Sequence, residues 1–600
     1  MKNFFKKSFV KIASILLVAI LTLPTFACGP RIDDDWVYEP EIWHEDVIDE
    51  IVMFCNDWEQ FNNGVAVNSP VYKALRQATG LTETKLTAKS VSLETYYNIL
   101  DLQRTTQTLC DMFVIDGPKS PEFFNNLIRD QEIIPISYYV NEETKDTYPN
   151  LYEYLKQYDY MKTNVSYAKG ELWFIPRKWQ NDKSLYVRRD WIKNLNKKID
   201  DILVADGVVS AKSEITDDIR NQYKFSEQGP KDLAEFYALA RAFTLYDPDN
   251  NGRNDTFGYV TEENRDMDSW VHVAYDSPWK MWVADEEGTY KNTATSQGAM
   301  LATSLLNKMV SEGYVSQEVG AKTVAGKHDD FVQNKAGMMY AHNWYNVICA
   351  DMMSSLKITQ EKARENILII DPPAGKNGTY GGQGDIQYYR GWCIRNGMSV
   401  ERLEACLKLL EYLYSPAGIE LVTYGVYREH WEWADAERTE KVTLCEPDRQ
   451  GFVQELRWTD FSAFISYLTY VTPESKALLT NGDILVERDK QSAKTMILSD
   501  YPDLYTESMK DNQSGAYDFF DETVILMLTN TSLKASWTYD AKTWKTDGMT
   551  KLYTVSSAMQ SAWDKYVSDY NSTYRGSEME REYNEEIATG NYVKYQKGAN

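Results

Sequence analysis

YDPDNNGRNDTFG, Tyr246 to Gly258, carries oxygen-bearing side chains at Asp247, Asp249, Asn251 and Asp255, with Gly252 where a short loop must turn back on itself. This is the pattern of a calcium loop. Counted from Asp247, positions 3, 5 and 9 hold oxygen ligands, position 6 is glycine, and Arg253 at position 7 offers its backbone carbonyl. The twelfth position is Gly258, so the bidentate glutamate of a helix-loop-helix sensor is missing. The sequence therefore predicts one structural Ca²⁺, with Thr256 or an acid from elsewhere completing its shell. The alternative is a solvated Asp/Asn/Gly turn, which the same composition favours.

Outward from this loop lie three further motifs. On its N-terminal side are a tyrosine-rich strand and a charged helix start, SLYVRRDWIKNL (Ser184 to Leu195), and a helix then leads into the loop. On its C-terminal side come FVQNKAGMMYAHNW (Phe331 to Trp344) and LKLLEYLYSPAGIELVTYGVYREHW (Leu407 to Trp431). In this order and spacing, over most of residues 45 to 435, the chain resembles the large extracellular solute-binding lipoproteins of bacterial carbohydrate ABC importers, of the family 1 type.

That resemblance implies an α/β, two-lobed periplasmic-binding-protein-like fold of type II, with an additional helical C-terminal region. Crossings between the lobes are expected near Pro176 to Leu185, near Asp371 to Arg390, and after Gly425. The N-terminal lobe is then 46–180 plus 385–425, and the C-terminal lobe 181–384 plus 426–600. The ligand would sit in the cleft between them. AGMMYAHNWYN (Ala336 to Asn346) looks like the family's segment that presents an aromatic ring to a sugar, which singles out Trp344, then Asn343 and Tyr345. A flat indole can desolvate the C–H face of a sugar ring while polar side chains bind its hydroxyls. Asp116 ends the strand-like DMFVID, where open α/β sheets bind ligands. Arg177 and Trp179 fall in the first crossing, Trp270 follows the calcium-like loop, Arg390 and Trp392 fall at the second crossing, and Trp431 at the third. Each of these aromatics has a competing reading as core material.

Composition agrees with a large extracellular binder. The 600 residues are 43% apolar and 26% charged, enough to bury sizeable cores. A net charge of −25 excludes a basic nucleic-acid surface and suits an uncharged or cationic ligand. Aromatic residues reach 13%, with 17 Trp and 42 Tyr.

The chain opens with an export signal, residues 1–27. MKNFFKKSFVK is its positive region, and IASILLVAILTL is an apolar run too short to span a bilayer, which needs about 20 residues. Thr25, Phe26, Ala27 and Cys28 resemble a lipoprotein cleavage box, with Thr25 departing from the usual leucine. Cys28 is then the lipidated residue, and the alternative is a plain signal peptide cut after Ala27. Residues 28–45 read as a tether. The protein is expected on the outer face of the cell membrane, as a monomer that passes its sugar to an ABC permease.

The body alternates strand-like and helix-like runs, as α/β proteins do. IDEIVMFC (Ile48 to Cys55), TLCDMFVID (Thr108 to Asp116), GELWFIP (Gly170 to Pro176), SLYVRRD (Ser184 to Asp190) and ENILIIDPP (Glu365 to Pro373) read as strands. Leu233, Phe236, Tyr237, Ala240 and Phe243 share one helical face after Pro230. Ser399 caps a helix, and Ser415-Pro416 opens another. The six cysteines beyond Cys28 lie at no metal or CxxC spacing and suit buried thiols.

Two other readings stay open. One is the same fold holding a peptide or a uronate oligomer, for which Arg177, Arg188, Arg189 and Arg390 would supply cations. The other is a secreted glycoside hydrolase, since 89 acidic residues can supply two carboxylates. Against an enzyme, no GxSxG, HExxH or P-loop motif is present, and the five histidines are scattered.

Overall fold

The computed structural model describes residues 38, 40, 43–57, 70–115, 120–156, 158–159, 162, 170–176, 183–262, 268–342, 345–384, 391–434, 436, 441–444, 482–501, 504–592 and 594. Its strands are, in chain order, β1 (Glu50–Asp57), β2 (Lys85–Ser92), β3 (Met112–Ile115), β4 (Ile175–Pro176), β5 (Lys183–Arg188), β6 (Phe257–Val260), β7 (Trp282–Ala284), β8 (Tyr290–Asn292), β9 (Ala336–His342), β10 (Ile367–Ile370), β11 (Gly391–Ile394), β12 (Trp431–Trp433) and β13 (Lys441–Thr443).

Two sheets organise the chain. The first has the order β2-β1-β3-β11-β4. Its middle strand β3 reads MFVI with all four side chains buried, as a strand covered on both faces requires. β1 runs parallel to β2 and β3, whereas β11 returns from 215 residues beyond β4 to pair antiparallel with both β3 and β4. The second sheet has the order β10-β5-β9-β6, with β5 antiparallel to β9 and β10, and β6 parallel to β9. Each sheet has a large core of its own.

Several sequence expectations shift at their edges. SLYVRRD stops being strand at Arg188, and Arg189 and Asp190 open the helix Arg189–Lys197 instead. GELWFIP is strand only at its last two residues. The helix Leu233–Leu245 is capped by Asp232, whose carboxylate accepts from the Glu235 N–H, and not started by Pro230. Ser399 and Ser415 cap their helices as expected, accepting from the amides of Arg402 and Gly418.

The expected tether ends before residue 45. His44 Nδ1 lies 2.6 Å from Glu401 Oε1. Arg402 donates to the Glu45 carboxylate at 2.7 and 3.0 Å, and Ser399 Oγ donates to it at 2.9 Å.

The C-terminal helices share the second core. Glu507–Thr529, Trp544–Leu552, Ser557–Thr573 and Gly576–Ala588 bury Met509, Phe520, Trp544, Trp563, Tyr566, Tyr570 and Tyr583 against residues of the second sheet's layer. Trp282 and Tyr583 stack with centroids 4.4 Å apart. Asn307 Nδ2 donates to the carbonyls of Met527 and Asn530 at 2.8 and 2.9 Å, tying the helix Gln297–Ser311 to the end of Glu507–Thr529. Lys308, 2% exposed, donates to the carbonyls of Ala535 and Trp537 at 3.1 and 2.6 Å. No helix among the described residues is long and apolar enough to cross a membrane. Cys110, Cys349, Cys393 and Cys406 are free and buried, and burial raises the Cys393 and Cys406 thiols far above their ordinary range.

Candidate functional site

Strand registers bring particular chain ends together. In the first sheet Gly391 pairs with Ile115 on one side and Pro176 on the other, so these three residues form a row across one end. In the second sheet Lys183 pairs with His342, and Ile370 with Leu185, so the start of β5 and the ends of β9 and β10 share one end. Carboxyl ends of strands are where open α/β sheets receive ligands. Seven peptide steps from Pro176 to Lys183 join the two rows, a span of at most about 25 Å.

Six of the expected contact residues, Asp116, Arg177, Trp179, Asn343, Trp344 and Arg390, lie outside the described residues, as does Cys28. Four of the six, Asp116, Arg177, Asn343 and Arg390, are bonded to Ile115, Pro176, His342 and Gly391, which stand in the two rows.

The other four are corrected to packing roles. Trp270 is completely buried, with its indole 4.9 Å from Phe236 in a T-shaped contact and its Nε1–H donated to the Tyr259 hydroxyl at 3.1 Å. Trp392 is buried within the first core, in the sheet strand β11. Trp431 is buried, donating Nε1–H to the Gly425 carbonyl at 3.1 Å beneath Tyr427 and Trp433. Tyr345 opens the helix Tyr345–Leu356 from within a third core cluster, and burial raises its hydroxyl well above the ordinary range. A ring with every face packed has none left for a sugar. Arg188 is likewise spent: it is 1% exposed, paired with Asp190 at 2.6 and 2.8 Å and with Asn334 Oδ1 at 2.5 Å. It also stands at the opposite end of β5 from Lys183.

Sequence reasoning missed a buried ion pair behind β9. Lys327 Nζ lies 2.5 Å from Glu262 Oε2 and donates to the Tyr340 carbonyl at 2.9 Å. Burial pushes the Lys327 ammonium below its ordinary range, opposed by the Glu262 charge. The pair fixes the carboxyl end of β9 relative to the chain leaving β6. Nothing in VAGKHDDFV separates Lys327 from a solvated lysine, because burial here is set by a glutamate 65 residues away.

The 246–258 loop is a tight turn with positive φ at Asp247, Asn250 and Gly252. Asn251 N–H donates to Asp247 Oδ1 at 3.0 Å, and its side-chain amide donates to Asp249 and Asp255 at 3.0 and 2.9 Å. Lys198 Nζ lies 3.2 Å from Asp247 Oδ2, and Asn194 anchors the Pro248 carbonyl at 2.9 Å. Burial raises both carboxyls, but for Asp247 the Lys198 contact prevails and holds it below the ordinary range. Asp249, beside the Asp247 and Asp255 charges, is held above it. Thr256 is corrected: it is buried and donates to the Phe243 carbonyl at 2.6 Å, away from the loop oxygens. Arg253 N–H donates to Asn251 Oδ1 at 2.8 Å. Among the described residues no three His, Cys, Asp or Glu side chains are gathered closely enough to hold a metal. The donor set is all oxygen and fits a hard cation once the Asn251 amide turns, since its NH₂ now stands between Asp249 and Asp255.

Two layered sheets with a second-sheet insertion between β4 and β11 define a class. The chain has the two-lobed fold of extracellular solute-binding proteins. Of solved structures, it is similar to an "HMO binding ABC-transporter associated Solute Binding Protein" from Bifidobacterium longum infantis, with a TM-score of 0.54 and 12% identity over 88% of this chain and 100% of that one. It is also similar to the Streptococcus pneumoniae ABC-transporter substrate binding protein FusA in complex with kestose, with a TM-score of 0.53 and 14% identity over 90% and 100%. By sequence it is 24% identical over 378 residues to the Bacillus subtilis lipoprotein LipO, covering 59% of this chain and 65% of that one, so the match spans just under two thirds of LipO. It is 21% identical over 420 residues to the B. subtilis polygalacturonan/rhamnogalacturonan-binding protein YtcQ, covering 68% and 73%. No protein-family model matches the chain.

Proposed function

We propose that the chain captures a carbohydrate outside the cytoplasm and delivers it to the permease of an ABC importer. The lobes in this reading are 46–180 with 385–425 and 181–384 with 426–600, working as a monomer held to the membrane by a lipid on Cys28. The observation that carries the reading is the pair of bordered sheet ends: Ile115, Pro176 and Gly391 on one, Lys183, His342 and Ile370 on the other, all flanking the same two crossings. Trp344 is the stacking platform, with Asp116 accepting from hydroxyls, Asn343 both accepting from and donating to them, and Arg177, Trp179 and Arg390 closing the sides. The loop at Asp247, Asp249, Asn251 and Asp255 holds a structural Ca²⁺, whose role is to offset the three carboxylates.

The reading is one of binding without turnover. Melting the mature protein against neutral oligosaccharides, oligogalacturonates and peptides tests it, because a ligand of the native state raises the melting point. A rise with a sugar that is recovered unchanged supports it. A response to peptides alone, or cleavage of the sugar, overturns it. The likeness to YtcQ favours an acidic oligomer as the second reading, and the burial of Arg188 weighs against it.

A further inference from the structure

After β10 ends at Ile370, residues 371–384 open the expected second crossing at the bordered end of the second sheet. Residues 226–233 meet them there: Ala374 N–H donates to the Lys231 carbonyl at 2.9 Å, and Leu233 N–H to the Ala374 carbonyl at 3.0 Å. Between the two stretches lies a groove of 520 Å³ lined by Gln228, Lys231, Glu235, Asp371 and Tyr380. Small-molecule sites occupy roughly 300–1,000 Å³. Its floor is closely built, because Gly229 has φ +87° and a Cβ there would stand 2.6 Å from Ile370 Cδ1.

Two features of the lining point to a sugar. Tyr380 is 37% exposed, and among the described residues its ring has no aromatic neighbour and its hydroxyl no partner. A tyrosine so placed offers an apolar face beside a polar tip, which suits the C–H face of a sugar ring and one of its hydroxyls. Asp371 accepts from Arg488 Nη2 at 2.5 Å on one oxygen and from Gln491 Nε2 at 2.9 Å on the other. Each oxygen keeps a lone pair for a ligand hydroxyl. Both donors come from the helix Gly482–Thr495, so the C-terminal region aims the acceptor.

Charge narrows the ligand. Lys231 pairs with Glu235 at 3.1 Å, and Arg488 with Asp371, so the groove's cations and carboxylates offset one another. A uronate would set its carboxylate beside Asp371 and Glu235 with no spare cation in the lining to receive it. We infer that this groove is an end subsite for an uncharged sugar ring, with Tyr380 as its stacking platform and Asp371 as its hydroxyl acceptor. The inference rests on the carbohydrate reading above and adds that the ligand is a neutral oligosaccharide of several rings, reaching from the first crossing to this groove at the start of the second.

Calorimetry on the mature full chain tests it with malto-, manno-, galacto- and fructo-oligosaccharides of two to six rings and oligogalacturonates of the same lengths. The wild type should bind one neutral series more tightly as length increases. Tyr380→Ala should lose about tenfold on the longest member and nothing on the shortest that binds, Tyr380→Phe should stay within about twofold, and Asp371→Asn should repeat the loss seen with alanine. Affinities of Tyr380→Ala and Asp371→Asn equal to wild type at every length, with unchanged melting, overturn the subsite while leaving carbohydrate capture intact. Tighter binding of oligogalacturonates overturns the charge assignment. A wild type that binds no sugar overturns the carbohydrate reading and this inference with it.

Discussion

His44 and Glu401 form an exposed clasp at the start of the described chain, and their pairing has a sign that pH can read. Glu401 accepts a hydrogen bond from His44, which holds the imidazole above its usual 6.5 and the carboxyl down at about 2. A raised histidine contributes stability below pH 6.5 that is lost as pH climbs through its raised value. A depressed glutamate contributes above pH 4.5 and is lost only as pH falls toward 2. The clasp therefore opens first on the alkaline side. Protection of the Glu45 amide, which donates to Glu401 Oε2 at 3.0 Å, should fall as pH climbs through the raised histidine value, and His44→Ala should flatten that profile. At Trp344 the expectation is different: truncation to alanine should weaken sugar binding by roughly thirtyfold with an unchanged melt, whereas an early melt with normal affinity would make it another packing ring. Trp270, Trp392 and Trp431 show why residue roles were hard to read. An indole covers so much area that cores and sugar sites both select it, and sequence position near a crossing does not say which face of the sheet it joins.

At the scale of elements, legibility followed locality. The caps at Ser399 and Ser415 were readable because the acceptor and the amide it satisfies lie three residues apart. β2, KLTAKSVS, was not, because an edge strand need only pair one side and can be polar on the other. The 246–258 loop lies between these cases: its oxygens are local, but Lys198 arrives from the turn that follows the helix Arg189–Lys197 and competes for Asp247. Chelation should lower the melting temperature, and Asp249→Ala should abolish that sensitivity. Lys198→Gln should increase it, because Asp247 then has only the metal to offset its charge. A melt indifferent to chelator in all three proteins removes the calcium assignment.

The whole molecule depends on joints between distant parts. Lys308 reaches two carbonyls beyond Leu533 and pairs with Glu312 at 2.8 Å. Lys308→Met would strand those acceptors inside the core and should cost about 3 kcal/mol, seen as a lower midpoint in urea with an unchanged slope. The sequence reading places residues 426–600 with the second lobe, but which of their side chains complete this core was not legible, since helical periodicity names a buried face without naming its partner. The same joints, together with the position of β11, bear on the order in which the chain can assemble. The first sheet lacks the strand between β3 and β4 until Ile394 has emerged, and the second core lacks Trp563 and Tyr583 until the last tenth of the chain has followed. Neither core can close before the segment that completes it is available, so assembly of both waits on residues far along the chain.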